Sequence, residues 1–275
     1  MTVSELRRKG MQILEQGGFS APGHECDYLI SGALDLPLLE LHLDPSRSVS
    51  KKEQLRLEEL FQRRSRHEPA QYLLGKAPFR DLELEVGPAV LIPRPETEEL
   101  VSIVLTKAPL NAAVLDMGTG SGAIPVALKY ERPDLCVTAA DLSLEALETA
   151  QRNSRKYKTE IEFIHSDLWQ ALQGRKFDFV TANLPYVSEE EYKQCAPEIF
   201  FEPVMALTAP DEGLALMKAM IDELPLHLTP GGSAVFELSH RQNPVICAWG
   251  RARGFKAETI RDLEGKDRFV LLTAE

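Results

Sequence analysis

The chain has 275 residues, with 42 acidic against 31 basic side chains, a formal charge of −11, and 44% hydrophobic residues. Such a composition belongs to an ordinary globular protein built as one large domain or as a small domain plus a larger one. The acidic balance argues against a broad nucleic-acid surface, because duplex binding rests on Lys and Arg neutralising phosphates, although a local basic patch stays compatible with it. No apolar run is long enough to cross a bilayer, and Met1 to Phe19 has no signal-peptide core behind Arg7-Arg8-Lys9. A cytoplasmic protein without membrane attachment is therefore expected. Cys26, Cys136, Cys195 and Cys247 lack CxxC spacing and read as reduced thiols, and the six histidines show no metal-ligand spacing, so no metal site is expected.

From Val3 to about Gly75 the apolar residues recur at helical spacing: Leu6, Met11, Ile13 and Leu14, then Tyr28, Leu29 and Leu34, then Leu55, Leu57, Leu60 and Phe61. Ser50 followed by Glu53 resembles a capping box. Residues 1–75 read as a small helical domain for binding or positioning, with no recognisable catalytic arrangement. In Pro78 to Val86, Leu82, Leu84 and Val86 alternate with charged residues, Gly87-Pro88 offers a turn, and Val90-Leu91-Ile92 offers a second strand. Residues 76–92 thus read as a β-hairpin linker. Pro93-Arg94-Pro95 stops the strand, and the Glu residues of Glu96-Thr97-Glu98-Glu99 suit the first turn of a helix running to about Thr106.

Beyond residue 93, apolar runs and helical patterns alternate: strands at 112–116, 135–140, 161–165, 177–182, 233–238, 256–260 and 268–273, with helices at 121–130, 143–155, 212–225 and 243–252. The pattern predicts an α/β fold with a doubly wound, mostly parallel sheet over residues 93–275. Ligands bind such sheets beyond the carboxyl ends of the strands.

Asp116-Met117-Gly118-Thr119-Gly120-Ser121-Gly122 falls where the first strand of that sheet gives way to a helix. Three glycines let the backbone turn sharply and approach a ligand closely. The same loop fits the dinucleotide fingerprint through Gly118, Gly120 and Ala123, with Asp141 about twenty residues on, placed to accept from ribose hydroxyls. A nicotinamide enzyme is thus one reading. Asp116, at the strand tip, would repel a pyrophosphate but suits a cationic amino-acid moiety, which favours S-adenosylmethionine. Asp141 also fits as a plain helix N-cap. After the third strand, Asp167 is placed to accept from an adenine amino group and Leu168 or Trp169 to cover the ring; a simple cap beside a buried Trp competes with that reading.

Phe177-Asp178-Phe179-Val180 runs into Thr181-Ala182-Asn183-Leu184-Pro185-Tyr186-Val187. Asn183 and Pro185 are common turn formers, yet a strand ending in Asn-x-Pro-Tyr also presents an amide, backbone carbonyls and an aromatic face to a small planar nitrogen group. The succession Asp-x-Gly-x-Gly-x-Gly, Asp141, Ser166-Asp167 and Asn183-Leu184-Pro185-Tyr186 resembles class I S-adenosylmethionine-dependent methyltransferases acting on planar amino groups. Glu68-Pro69-Ala70-Gln71-Tyr72-Leu73-Leu74-Gly75, Leu91-Ile92-Pro93-Arg94-Pro95-Glu96-Thr97-Glu98, and Phe201-Glu202-Pro203 ahead of Asp211-Glu212-Gly213-Leu214 narrow this. Together they look like the HemK/PrmC family of peptide chain release factor glutamine methyltransferases.

The resemblance implies a seven-stranded Rossmann-like methyltransferase sheet and methylation of the side-chain amide nitrogen of the glutamine in the Gly-Gly-Gln loop of release factors. S-adenosylmethionine would be held by Asp116, Gly118, Thr119, Gly120, Ser121, Gly122, Asp141, Asp167, Leu168 and Asn183 and released as S-adenosylhomocysteine. Catalysis falls to Asn183, Leu184, Pro185 and Tyr186, with Phe79 of the hairpin closing the substrate pocket. A monomer that binds release factors and no nucleic acid is expected. The family usually has Asn-Pro-Pro-Tyr; Leu184 replaces the first proline and does not fix φ as proline does. A DNA adenine methyltransferase shares the Asn-x-Pro-Tyr logic but needs a basic groove and a flipped base, and a domain that binds cofactor or partner without turnover is a third reading.

Overall fold

The computed structural model describes residues 1–274, which divide into two compact units: Met1–Lys76 with Ala196–Phe201, and Ala77–Cys195 with the chain from Glu202 onward. The first unit holds five α-helices, α1 (Val3–Gln16), α2 (Pro22–Leu34), α3 (Leu38–Leu43), α4 (Lys51–Arg64) and α5 (Ala70–Leu74). Thr2 and Ser50 close reciprocal capping boxes with Glu5 and Glu53, satisfying amides that the first turns of α1 and α4 leave unpaired. Their inward faces meet in a core that includes Leu6, Leu14, Leu29, Ile30, Leu57 and Phe61. Glu198 joins this unit through Arg64 (3.2 Å) and His67 Nδ1 (3.2 Å), while Arg64 also pairs with Glu25 at 2.7 Å and lies over the Phe19 ring.

The second unit opens within a hairpin of β1 (Lys76–Phe79) and β2 (Leu82–Glu85). It differs from the sequence expectation in where it turns. The chain reverses at Arg80-Asp81, with Arg80 at φ 52°, and Val90-Leu91-Ile92 is not a strand. The Ile92 amide instead donates to the Glu202 carboxylate at 3.0 Å, so a side chain replaces the ladder partner. Because the turn comes early, Phe79 shares an inward face with Leu82 and Leu84.

After α6 (Pro95–Lys107) come β3 (Ala113–Met117), α7 (Ala123–Glu131), β4 (Cys136–Asp141), α8 (Leu144–Tyr157), β5 (Ile161–His165) and β6 (Phe177–Ala182). A one-turn α9 (Glu189–Tyr192) and two short 3-10 helices precede α10 (Ala215–His227), β7 (Leu228–Glu237), α11 (Asn243–Arg251), β8 (Phe255–Arg261) and β9 (Asp267–Ala274). Strand order is β5-β4-β3-β6-β7-β9-β8, parallel except for the antiparallel β9 contacts with β7 and β8. The expected doubly wound, mostly parallel sheet is present. The helix expected from 212 begins at Ala215, because Asp211, Glu212 and Gly213 all take positive φ, which no α-helical turn accommodates. Among the described residues no helix is long and apolar enough to cross a membrane.

Two apolar layers sandwich the sheet, one including Leu115, Met117, Val180, Ala182 and Phe236, the other Val114, Val137, Phe179, Val235 and Phe269. Alternate residues of each central strand enter opposite layers, so the sheet is buried on both faces and its functional groups can emerge only at the strand ends.

Candidate active site

The carboxyl ends of β3, β4 and β6 lie level: Met117 pairs with Ala140 on one side and with Ala182 on the other. The residues that follow each strand therefore meet at one edge, where they line a cleft of about 1050 Å³ with its open mouth included. That is room for a nucleoside-sized ligand together with a substrate side chain.

Gly118 and Thr119 donate their amides to the Ala140 carbonyl at 2.8 and 3.1 Å, folding the glycine loop over the end of β4. Gly118 has φ 72°, and a Cβ there would stand 2.7 Å from Leu184 Cδ2; only glycine combines that conformation with that contact. Asn153, fully buried on α8, clamps the loop from below, donating Nδ2 to the Ser121 and Glu85 carbonyls and accepting from the Glu85 amide. Asp141 accepts from Gly120 N and Ser143 N, each at 2.8 Å. Burial raises its pKa, and these amides oppose the rise by hydrogen bonding to the carboxylate. Ser166, Asp167 and Leu168 follow β5, with Leu168 at φ 46° on the cleft wall.

Asn183 and Pro185 leave β6 into the cleft beside Leu184, which is only 5% exposed. Leu184 packs within the core that holds Met117, Ala182 and Trp169, so burial of its side chain holds the turn where a proline ring would otherwise stiffen it. Asn183 Nδ2 donates to Thr97 Oγ1 at 3.2 Å, and Thr97 Oγ1 donates to Glu237 Oε2 at 2.7 Å. The Tyr186 carbonyl accepts from Gln242 Nε2 at 2.8 Å. Gly213 lies so close behind it that a Cβ would be 2.0 Å from that carbonyl oxygen. Arg94 reaches the cleft wall on an ion pair with buried Glu202 at 2.6 Å.

The structure brings together on the cleft wall Gly118, Thr119, Gly120 and Ser121, then Asp141, Asp167 and Leu168, then Asn183, Leu184 and Pro185. Four of the sequence-derived site residues lie elsewhere. Asp116 is 0% exposed behind the glycine loop, its Oδ1 accepting from Thr181 at 2.7 Å; burial pushes its carboxyl up to about 7, with the Thr181 hydroxyl opposing that rise. Gly122 is the N-cap of α7, pressed against Ala150. Tyr186 sits off the cleft wall, its hydroxyl raised to about 12 by burial and by Glu237. Phe79 is 0% exposed in the core with Leu82, Leu84 and Leu100, because the early hairpin turn points it inward, and it does not close the cleft. Trp169 is buried too, stacked on His227 and donating Nε1 to the Met220 carbonyl, which leaves Leu168 as the wall residue.

Two family models match: the PrmC N-terminal domain over residues 5–75 and the methyltransferase small domain over residues 96–217. The chain is 36% identical to the release factor glutamine methyltransferase of Koribacter versatilis over 276 aligned positions, covering 98% of each chain. It is likewise 36% identical to that of Streptococcus pneumoniae, over 82% of this chain and 81% of that one. The chain belongs to the release factor glutamine methyltransferase family. A solved methyltransferase from Pyrococcus furiosus shares the fold, with a TM-score of 0.55 at 19% identity over 82% of this chain and 98% of that one.

A methyltransferase of this family implies a bound S-adenosylmethionine, and the cleft fits it. A glycine cradle opens onto the wall: Gly120, at φ 55°, carries no side chain into the cleft, and its amide is held by Asp141. Sequence reasoning assigned no role to Thr97, Glu202, Glu237, Gln242 or Asn153; Thr97 and Glu202 lay within quoted motifs, while the other three carried no local signal.

Gly118→Ala should destabilise the fold by about 1–2 kcal/mol from its φ alone, and more from the Leu184 contact. Denaturant unfolding of Gly118→Ala, Leu184→Ala and the double variant checks this: relief of the clash makes the pair less than additive.

Proposed function

We propose that this chain transfers a methyl group from S-adenosylmethionine to the side-chain amide nitrogen of the glutamine in the Gly-Gly-Gln loop of peptide chain release factors. The observation that carries the reading is Asn183 at the end of β6, its Nδ2 held by Thr97 beside the glycine-loop cleft, within a chain that matches release factor glutamine methyltransferases over nearly its full length.

When bound, S-adenosylmethionine supplies a methyl group on a sulfonium whose sulfur accepts the C–S electron pair on leaving as a neutral thioether. The glycine loop would present backbone to the amino-acid end. Asp141 would hold the ribose hydroxyls, and Asp167 and Leu168 the adenine. Asn183 Oδ1 and the Leu184 carbonyl accept the two hydrogens of the substrate NH2. An amide nitrogen is a weak nucleophile because its lone pair is delocalised into the carbonyl, so orientation and the pull of two acceptors must carry much of the rate. As the N–C bond forms the nitrogen loses one proton, which passes to solvent. Pro185 fixes the turn that sets the angle between the two acceptors.

Methyl transfer from labelled cofactor to a purified bacterial release factor, and to its variant with the loop glutamine changed to alanine, tests the substrate. Label on the first alone is expected; equal labelling of both refutes the assignment. Asn183→Ala should lower kcat by about 10²-fold or more, as loss of a transition-state hydrogen-bond partner does, while calorimetric cofactor affinity stays. Asp141→Ala should lose cofactor affinity first, by about tenfold or more, as for a charged hydrogen-bond acceptor.

A further inference from the structure

We propose that Glu237 is a positioning residue for methyl transfer: acting through Thr97, it decides that Asn183 turns its oxygen, not its nitrogen, toward the substrate. The inference rests on the methyltransferase reading and assigns a source of polarity within that site.

The three groups form one directed chain. Glu237 ends β7 one position beyond Phe236, which pairs with Ala182, so its side chain stands beside Asn183. Thr97 arrives from the first turn of α6. Glu237 is 1% exposed and Thr97 5%, so neither exchanges its partner freely for water. A carboxylate has no hydrogen to give, so the Thr97 hydroxyl spends its only hydrogen on Glu237 Oε2 at 2.7 Å. Thr97 Oγ1 can then only accept, and the Asn183 group that faces it must be the NH2, at 3.2 Å. The amide is planar, so with Nδ2 committed, Oδ1 points the other way and is left to accept from the substrate.

Neutral Glu237 would remove the instruction. A protonated carboxyl can donate to Thr97, which can then donate to Asn183 Oδ1 and turn its NH2 toward the substrate, where two donors would face each other. The groups bearing on Glu237 come from four elements. Burial dominates and, with Glu96, raises its pKa to about 7, while Thr97, Arg268 of β9 and Arg94 oppose the rise; the Tyr186 hydroxyl faces it from the loop after β6. The instruction is thus complete on the alkaline side of neutrality and fades below it. Stability runs the other way: with a folded pKa above its ordinary value, Glu237 contributes stability that is full at acid pH and lost as pH rises through about 7.

The test is kcat and cofactor KM for methyl transfer to a release factor, from about pH 6 to about pH 9, for wild type and Glu237→Gln. Glutamine keeps the shape but can present either a donor or an acceptor to Thr97. Wild-type kcat should rise with pH through about 7. Glu237→Gln should lose roughly tenfold in kcat, the equivalent of one hydrogen bond, lose that acidic limb and keep its cofactor KM. Its melting temperature at alkaline pH should equal or exceed that of wild type, which separates positioning from folding. Thr97→Val should match Glu237→Gln, and Thr97→Ser should recover most of what Thr97→Val loses. A Glu237→Gln enzyme with wild-type kcat and an unchanged pH profile overturns the proposal, as does a Thr97→Ser enzyme no better than Thr97→Val. Absence of transfer by wild type would instead sink the functional reading.

Discussion

Three parallel strands ending level are the constraint on which the site depends. With Met117 across from Ala140 and from Ala182, the glycine loop, Asp141 and Asn183 emerge at one edge without further adjustment. A slip of one residue in any of these strands would exchange its buried faces; Met117 and Ala182 would leave their layer and Asn183 would enter the sheet. The two apolar layers that fix this register therefore fix the cleft.

Beyond the strand ends the backbone is irregular, and each irregular segment is held by a specific long-range bond. Gly120 is tied to Asp141, Ser121 to Asn153, Ile92 to Glu202 and Tyr186 to Gln242. These tethers let an irregular turn keep a fixed shape, which orientation-dependent catalysis requires. Leu184 belongs with them. It has no ring to restrict φ, yet its side chain is buried against Gly118, so packing supplies order that the sequence alone left in question. Glu237 shows the cost of such placement: its burial opposes ionisation, and ionisation is what gives the Asn183 amide its direction.

Sequence was most informative where chemistry and turn geometry coincide in one short stretch. The glycine loop, Asp141 and the Asn183 turn were legible because each directly follows a strand whose apolar run is readable, and the fold rule places ligands there. The doubly wound sheet was legible for the same reason. Thr97 to Glu237 spans 140 positions and Asn153 to Ser121 spans 32, and no local pattern announces such pairings. The hairpin turn is not legible because Gly87-Pro88 looks like the better turn, whereas the chain reverses at Arg80-Asp81 with a non-glycine residue at positive φ, and Phe79, which the resemblance puts at the pocket, is in the core. Asp116 was read from its position at a strand tip, but its side chain turns inward to Thr181.

The central claim is directional: Asn183 offers its oxygen to the substrate nitrogen because Thr97 and Glu237 hold its own nitrogen. A neutron crystal structure of the protein with S-adenosylhomocysteine and a release factor bearing the Gly-Gly-Gln loop measures this directly, because deuterium positions tell the amide nitrogen from the oxygen. The account predicts Asn183 Nδ2 still on Thr97 and Asn183 Oδ1 within about 3 Å of the glutamine nitrogen, as a hydrogen bond requires. A complex in which the substrate glutamine bonds elsewhere, or in which Asn183 has left Thr97, would contradict it.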